Sequence, residues 1–214
     1  MRKTLNILLL FPILAIAQSP DQNWVKTKTY KQPTTTPVST PTQAQAVTQV
    51  NYFDGLGRAI QQVAVGQSAT GKNIVTPIEY DAFGRQVKDY MPYSSGVNDL
   101  EIVSNPITDL INFYQTDAYQ NTLNPYSEKR LEASPLSRVL EQAAPGNDWS
   151  LRNPDKHTIR FDYQTNTVVD AVKRFTVISN WDADKELYTI PRSLTPANYE
   201  QYQLYKTITK DEHW

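Results

Sequence analysis

Phe53-Asp54-Gly55-Leu56-Gly57-Arg58 returns 27 residues later as Tyr80-Asp81-Ala82-Phe83-Gly84-Arg85, and each copy has an apolar residue two places after its arginine, Ile60 and Val87. A sentence of sequence spoken twice at fixed spacing marks a repeat architecture, and the rest of the chain is read outward from it.

Each copy predicts a β-hairpin. The run before the first motif carries Val47, Val50 and Tyr52, and the run before the second carries Ile74, Val75 and Ile78. Branched and aromatic residues of this kind suit a pleated, half-buried surface. Asp54 and Asp81 are placed to accept from backbone amides just ahead of them. Gly57 and Gly84 supply the positive φ that a short hairpin loop demands. Arg58 and Arg85 then open the returning strands. A guanidinium is a fixed fork of donors, so its partner is expected to be the aspartate of the same turn or carbonyls of the neighbouring hairpin. The fold class this predicts is all-β, built of repeated antiparallel hairpins with irregular insertions.

The pattern aromatic-Asp-x-x-Gly-Arg, with Tyr90-Met91-Pro92-Tyr93 closing the second copy, resembles the RHS/YD-repeat family, particularly its secreted versions in Bacteroidetes-type bacteria. A third copy is read at Leu131-Glu132-Ala133-Ser134-Pro135-Leu136-Ser137-Arg138, with a longer turn and serine in place of glycine; Arg138 lies 53 residues after Arg85, close to two periods. Phe161-Asp162-Tyr163 keeps the aromatic-Asp pair of a fourth but has no Gly-Arg. The resemblance covers about residues 46 to 180. It implies that the hairpins form part of an RHS/YD-type β-shell, which in relatives encapsulates a C-terminal toxin or effector domain or displays an adhesive surface.

Composition excludes several classes. Of 214 residues, 13 are Tyr and 4 Trp, while mean hydropathy is −0.54 and glycine numbers only 7, so the chain is polar, tyrosine-rich and not a glycine-rich fibre. Lys and Arg number 21 against 22 Asp and Glu, scattered without a basic patch, which argues against nucleic acid as partner. There is no cysteine, so stability rests on packing and strand pairing. Arg2 and Lys3, the apolar run Leu5 to Ile16 and Ala15-Ile16-Ala17 have the three-part layout of a signal peptide over residues 1–17. The expected location is therefore secreted or on the bacterial cell surface, with no integral membrane anchor after cleavage.

In chain order, residues 18–46 form an N-terminal segment. A short strand is expected near Trp24 to Thr29, and Lys31 to Ala46 is a Thr/Pro-rich linker or surface strap in which Pro33, Pro37 and Pro41 favour extended structure. Residues 47–93 hold the two hairpin repeats. Residues 94–127 are expected to be an irregular insertion, because Pro106 and Pro125 bracket the helix-like cluster Leu110, Ile111, Phe113 and Tyr114. Residues 128–214 hold degenerate hairpins: Arg138 to Ala143, a turn at Ala144-Pro145-Gly146-Asn147, and a cleanly alternating strand from Thr158 to Tyr163, with Val172 to Ile178 as its partner. A further hairpin is expected over Ile178 to Ile190, turning at Asn180 to Asp184, then a strand from Leu204 to Thr209. Lys210-Asp211-Glu212 reads as the entrance to another turn. No polar cap follows Ile208, so the chain reads as the N-terminal part of a longer array.

Candidate chemistry is thin. His157 and His213 are the only histidines, and neither lies near a nucleophile elbow, so no catalytic residue is assigned. Asp182, Asp184 and Glu186 alternate as calcium ligands do, but Leu187 follows where the loop needs a glycine, and a solvated hairpin tip with Lys185 accounts for them. No metal or other cofactor is expected. Trp149 and Trp181 are candidates for stacking on sugar rings, against the commoner role of hairpin packing. The expected function is a non-catalytic structural wall whose partners are further repeats or an effector domain. The rival from another class is a free-standing carbohydrate-binding or adhesion module that uses exposed Tyr and Trp, with cell-surface glycan as partner.

Overall fold

The structure, a computed structural model, describes residues 22–155, 157–177, 179–190 and 197–213. The expected signal peptide, residues 1–17, lies outside them. The described chain is mostly β-strand in antiparallel sheets, an all-β fold with a single α-helix among the described residues. It divides into two compact units, one ending at Ser127 and the other beginning at Glu128.

The first unit is built on β1 (Asn23–Tyr30), β2 (Ala46–Phe53), β3 (Ala59–Ala64), β4 (Ile74–Pro77), β5 (Lys88–Tyr90) and β6 (Tyr93–Ser94), with the sheet order β1-β2-β3-β4-β6. The strand near Trp24 is longer than expected. All eight of its residues pair with β2, Asn23 with Phe53 through Tyr30 with Ala46. Strict alternation puts Trp24, Lys26, Lys28 and Tyr30 on the half-buried face. Of the two readings of the Thr/Pro-rich stretch, the structure has the strap, which joins these two strands. Lys31 N–H donates to the Gln45 carbonyl at its base, and Lys28 and Lys31 ammoniums donate to the carbonyls of Ser39 and Gln43.

The core of this unit is Val50, Tyr52, Val63, Val75, Tyr90, Tyr93, Leu110, Tyr114 and Tyr126. Two of these residues correct the expectation of an irregular insertion at 94–127. Leu110 and Tyr114 lie on α1 (Pro106–Tyr114), and Leu110 is completely buried. Pro106, read in the sequence as a breaker, starts the helix. At the first helical position its missing N–H costs nothing and its fixed φ suits the turn. Full burial of one leucine contributes roughly 1.5–3 kcal/mol, so the helix is held by the core. The loop before it is held by polar groups. Gln61, buried in β3, donates to the Val103 carbonyl and accepts from the Val103 N–H, both at 3.0 Å. Asn73 donates to the Asp99 carbonyl at 2.6 Å, and the Tyr52 hydroxyl donates to that of Leu100.

The second unit orders its strands β14-β9-β8-β7, with β7 (Tyr126–Leu131), β8 (Val139–Ala143), β9 (Ile159–Thr165) and β14 (Tyr205–Lys210). Here the strand pairing differs from expectation. The alternating strand β9 pairs with β8 and with β14, Thr165 opposite Tyr205, and not with the described residues 172–177 of the stretch expected from Val172 to Ile178, whose last residue lies outside the described residues. Of that stretch, β10 (Lys173–Arg174) pairs with β13 (Ala197–Asn198). The hairpin over 178–190 is present as β11 (Asn180–Asp182) and β12 (Leu187–Thr189), but its turn is residues 183–186, so Trp181 sits in a strand and not at the tip. The interior of this unit is polar. Glu141, Thr158 and Asn166 are buried, and Ala143 is the one buried hydrophobic residue among the described residues of this unit. The Glu141 carboxylate accepts from Arg130 at 2.6 Å, the Thr158 hydroxyl at 2.7 Å and Arg160 at 3.4 Å, which offsets the cost of burying its charge.

Candidate functional site

The repeated turns are the only constellation the sequence singled out twice, and their atoms superpose in kind. Asp54 Oδ1 accepts from the backbone N–H groups of Leu56 and Arg58 at 2.9 Å. Its Oδ2 accepts from Arg58 Nε and Nη2 at 2.8 Å. Asp81 does the same with Phe83 and Arg85 at the same distances. One carboxylate thereby satisfies two turn amides and a bidentate guanidinium. Both carboxyls are held below the ordinary aspartate range, first by the backbone N–H of the turn's arginine and then by its side chain, against partial burial. Gly57 and Gly84 have φ of 76° and 75°, where a side chain is strained. Gly55 needs no such freedom: its φ is not positive, and Ala82 stands in its place in the second copy.

The third copy reaches the same geometry with two more residues. Glu132 N–H donates to the Arg138 carbonyl at 2.9 Å, as Asp54 does to Arg58, and Ser137 takes the left-handed position at φ 49°. The aspartate's work is divided. Glu132 pairs with the Arg138 guanidinium at 2.8 Å, while the Ser134 hydroxyl accepts from the Leu136 N–H at 3.2 Å and donates to Glu132 at 2.6 Å. Those two partners hold the Glu132 carboxyl down at about 2, the Arg138 guanidinium first. At all three tips an exposed apolar residue precedes the left-handed position: Leu56, Phe83 and Leu136.

The arginine was expected to reach the neighbouring hairpin through carbonyls; the partner there is a tyrosine. The Arg58 guanidinium lies 4.5 Å from the ring centre of Tyr80, and the Tyr80 hydroxyl donates to the carbonyl of Ala59, next to Arg58, at 3.0 Å. In the second unit Arg138 lies 4.5 Å from the Tyr163 ring centre, and the Tyr163 hydroxyl donates to the carbonyl of Val139 at 2.9 Å. Each arginine is therefore fixed by the acid of its own turn and by a tyrosine further along the chain, through charge, ring face and backbone. Arg85 instead lies over the ring of Phe83 in its own turn, at 5.1 Å.

A fourth turn exists, but not at Phe161-Asp162, which lie within β9. Asn166 takes the aspartate's place. Its N–H donates to the Leu204 carbonyl at 2.9 Å, its Oδ1 accepts from the Leu204 N–H at 2.8 Å, and its carbonyl accepts from Tyr202 N–H, whose φ is 66°. The residues from Thr167 to Gln201 are thus an insertion inside one hairpin turn. An Asn at the end of a clean strand was the available signal; the length of the insertion hid its partner. At Asp211 the side chain again accepts from the N–H two residues on, that of His213, at 3.1 Å.

The remaining candidates are placed as follows. Trp149 is about two-fifths exposed and packs against the His157 ring at 5.5 Å. Trp181 is more exposed and lies edge-to-face with Tyr188, its cross-strand partner, at 5.1 Å. Asp182 caps the turn, accepting from the N–H groups of Asp184 and Lys185 and from the Lys185 ammonium at 2.7 Å. Among the described residues no three acids or histidines converge as a metal site, and no helix is long and apolar enough to cross a membrane.

No curated protein and no solved structure matches the chain. A family model does, the one described as a domain of unknown function, DUF6443, over residues 26–165, from within β1 to the last residue of β9. That span holds the three acid–arginine turns and both arginine–tyrosine contacts, and it covers more than half of the sequence; the chain belongs to the DUF6443 family.

Proposed function

We propose that this protein is a secreted or cell-surface structural repeat protein whose hairpins form part of the wall of an RHS/YD-type β-shell, without catalysis in this segment. The observation that carries the reading is the repeated contact of Arg58 with Tyr80 and of Arg138 with Tyr163. The same three-part bond occurs in both units, between the arginine of one turn and a tyrosine further along the chain. Its partners are backbone and neighbouring repeat, so it serves to stack hairpins and leaves no group free for chemistry. The second unit also keeps large apolar side chains in solvent, Phe175, Val177, Tyr202 and Tyr205 among them, as a repeat awaiting neighbours does. The resemblance to RHS/YD proteins supplies the cargo: a C-terminal effector domain of a longer polypeptide enclosed by the wall.

Cryo-electron microscopy of the natural secreted polypeptide tests this. A hollow shell with these hairpins in its wall is the expected result, and a compact particle with no further hairpins overturns it. One observation favours a second reading, a glycan-binding module: the exposed Trp181 and Tyr188 rings lie side by side on one hairpin. That reading requires saturable binding of a polysaccharide by the purified protein, abolished in Trp181→Ala.

A further inference from the structure

Between β6, the loop from Ser95 to Ser104 and α1, the first unit contains a cleft of about 510 Å³. Its lining includes three carboxylates, Asp99, Glu101 and Asp109, and no lysine, arginine or histidine. None of the three is in an ion pair among the described residues. The Phe113 ring and Tyr93 supply an aromatic wall, 6.2 Å between ring centres.

A second observation is independent of the acids. Tyr93 is 3% exposed, and its hydroxyl has no hydrogen-bond partner. A buried hydroxyl left unpaired costs about 1–3 kcal/mol, so its retention needs a reason. Burial, and after it the charge of Asp109, push its ionisation far above the ordinary tyrosine range, so it stays a neutral hydroxyl beside a carboxylate. The cleft is also preformed: Gln61 fixes Val103 and Asn73 fixes Asp99 from the sheet beneath. Preorganised walls reduce the ordering cost of binding.

We propose that this cleft binds an organic cation, the ammonium or guanidinium group of a small amine. Carboxylates outside any ion pair, of which that of Asp99 accepts only the Glu101 N–H at 3.2 Å among the described residues, repel phosphates and carboxylates and attract a cation. The ring faces favour an organic cation over a hydrated metal ion. A guanidinium or ammonium has several N–H donors, enough to reach the carboxylates and to offer a proton to the lone pair of the Tyr93 hydroxyl.

Agmatine, titrated into the purified full chain by calorimetry, is the probe, with N-acetylglucosamine as the neutral control. The expected result is saturable agmatine binding that weakens as salt rises and falls about tenfold in Asp109→Asn, the loss of one charge-assisted hydrogen bond. Glu101→Gln, at an exposed position, is expected to weaken it too and keeps the test intact should the helix variant fail to fold. Tyr93→Phe is expected to fold and to bind agmatine several-fold more weakly, by the loss of one neutral acceptor. No saturation, affinity unchanged in both Asp109→Asn and Glu101→Gln, or equal binding of N-acetylglucosamine overturns the proposal.

Discussion

Arg58 lies over the ring of Tyr80, 22 residues further on, while the Tyr80 hydroxyl closes the contact by donating to the carbonyl beside Arg58. The arginine is thereby shared between two repeats, and its replacement should be felt in both.

Tyr80→Phe keeps the ring under the guanidinium and removes only the hydrogen bond to Ala59, so a loss of about 1 kcal/mol is expected. Arg58→Ala should cost more, because the ring face is vacated as well. A double-mutant cycle of Arg58→Ala with Tyr80→Ala, which removes the ring, read by urea unfolding, should return a coupling of roughly 0.5–1 kcal/mol. Strictly additive effects would show that the stacking is incidental.

Gly57 and Gly84 share a backbone conformation but not their surroundings. A Cβ on Gly57 meets nothing within 4 Å, whereas one on Gly84 comes to 3.0 Å of Arg58 Nη1. Gly57→Ala should therefore cost about 1–2 kcal/mol from φ alone, and Gly84→Ala more, since it also pushes the guanidinium off Tyr80. Ser137→Gly relieves the same strain at the third turn and should stabilise by roughly 1 kcal/mol. Thermal melts of the three variants check the order.

The Glu132 carboxyl is depressed from 4.5 to about 2 in the folded protein. A depressed acid stabilises the fold fully above its unfolded value and loses that contribution as pH falls through the folded one. Between about pH 4.5 and 2 the hairpin of β7 and β8 should weaken progressively. Glu132→Gln should remove this part of the acid sensitivity, and hydrogen exchange at the Arg138 amide across that range measures it.

Gln61→Ala leaves the N–H and carbonyl of Val103 without their buried partner. A cost of about 2–4 kcal/mol is expected, with faster exchange at the Val103 amide while the hydrogen bonds between β2 and β3 stay protected. Equal loosening of the whole sheet would show that Gln61 supports the strands and not the loop.

The turns were legible in the order of residues alone. In Asp54 to Arg58 and Asp81 to Arg85 the acid, its two amides, the left-handed glycine and the guanidinium lie within five residues, so local chemistry is enough. Even the longer turn from Glu132 to Arg138 was legible, because Ser137 and Ser134 are close at hand. Strand alternation likewise marked β9 and β14 as strands.

What those pieces meet was settled by long-range pairing and burial. These brought β14 to β9 across an insertion of some 35 residues, put Asn166 in the aspartate's place, drew Leu110 into the core and laid Arg58 and Arg138 over later tyrosines. The difference is one of range. A turn is a contest among neighbouring groups, won by hydrogen bonds and φ preferences that the local residues carry. Pairing and burial compare every apolar face and strand edge in the chain at once, and that comparison exists only after the chain has folded.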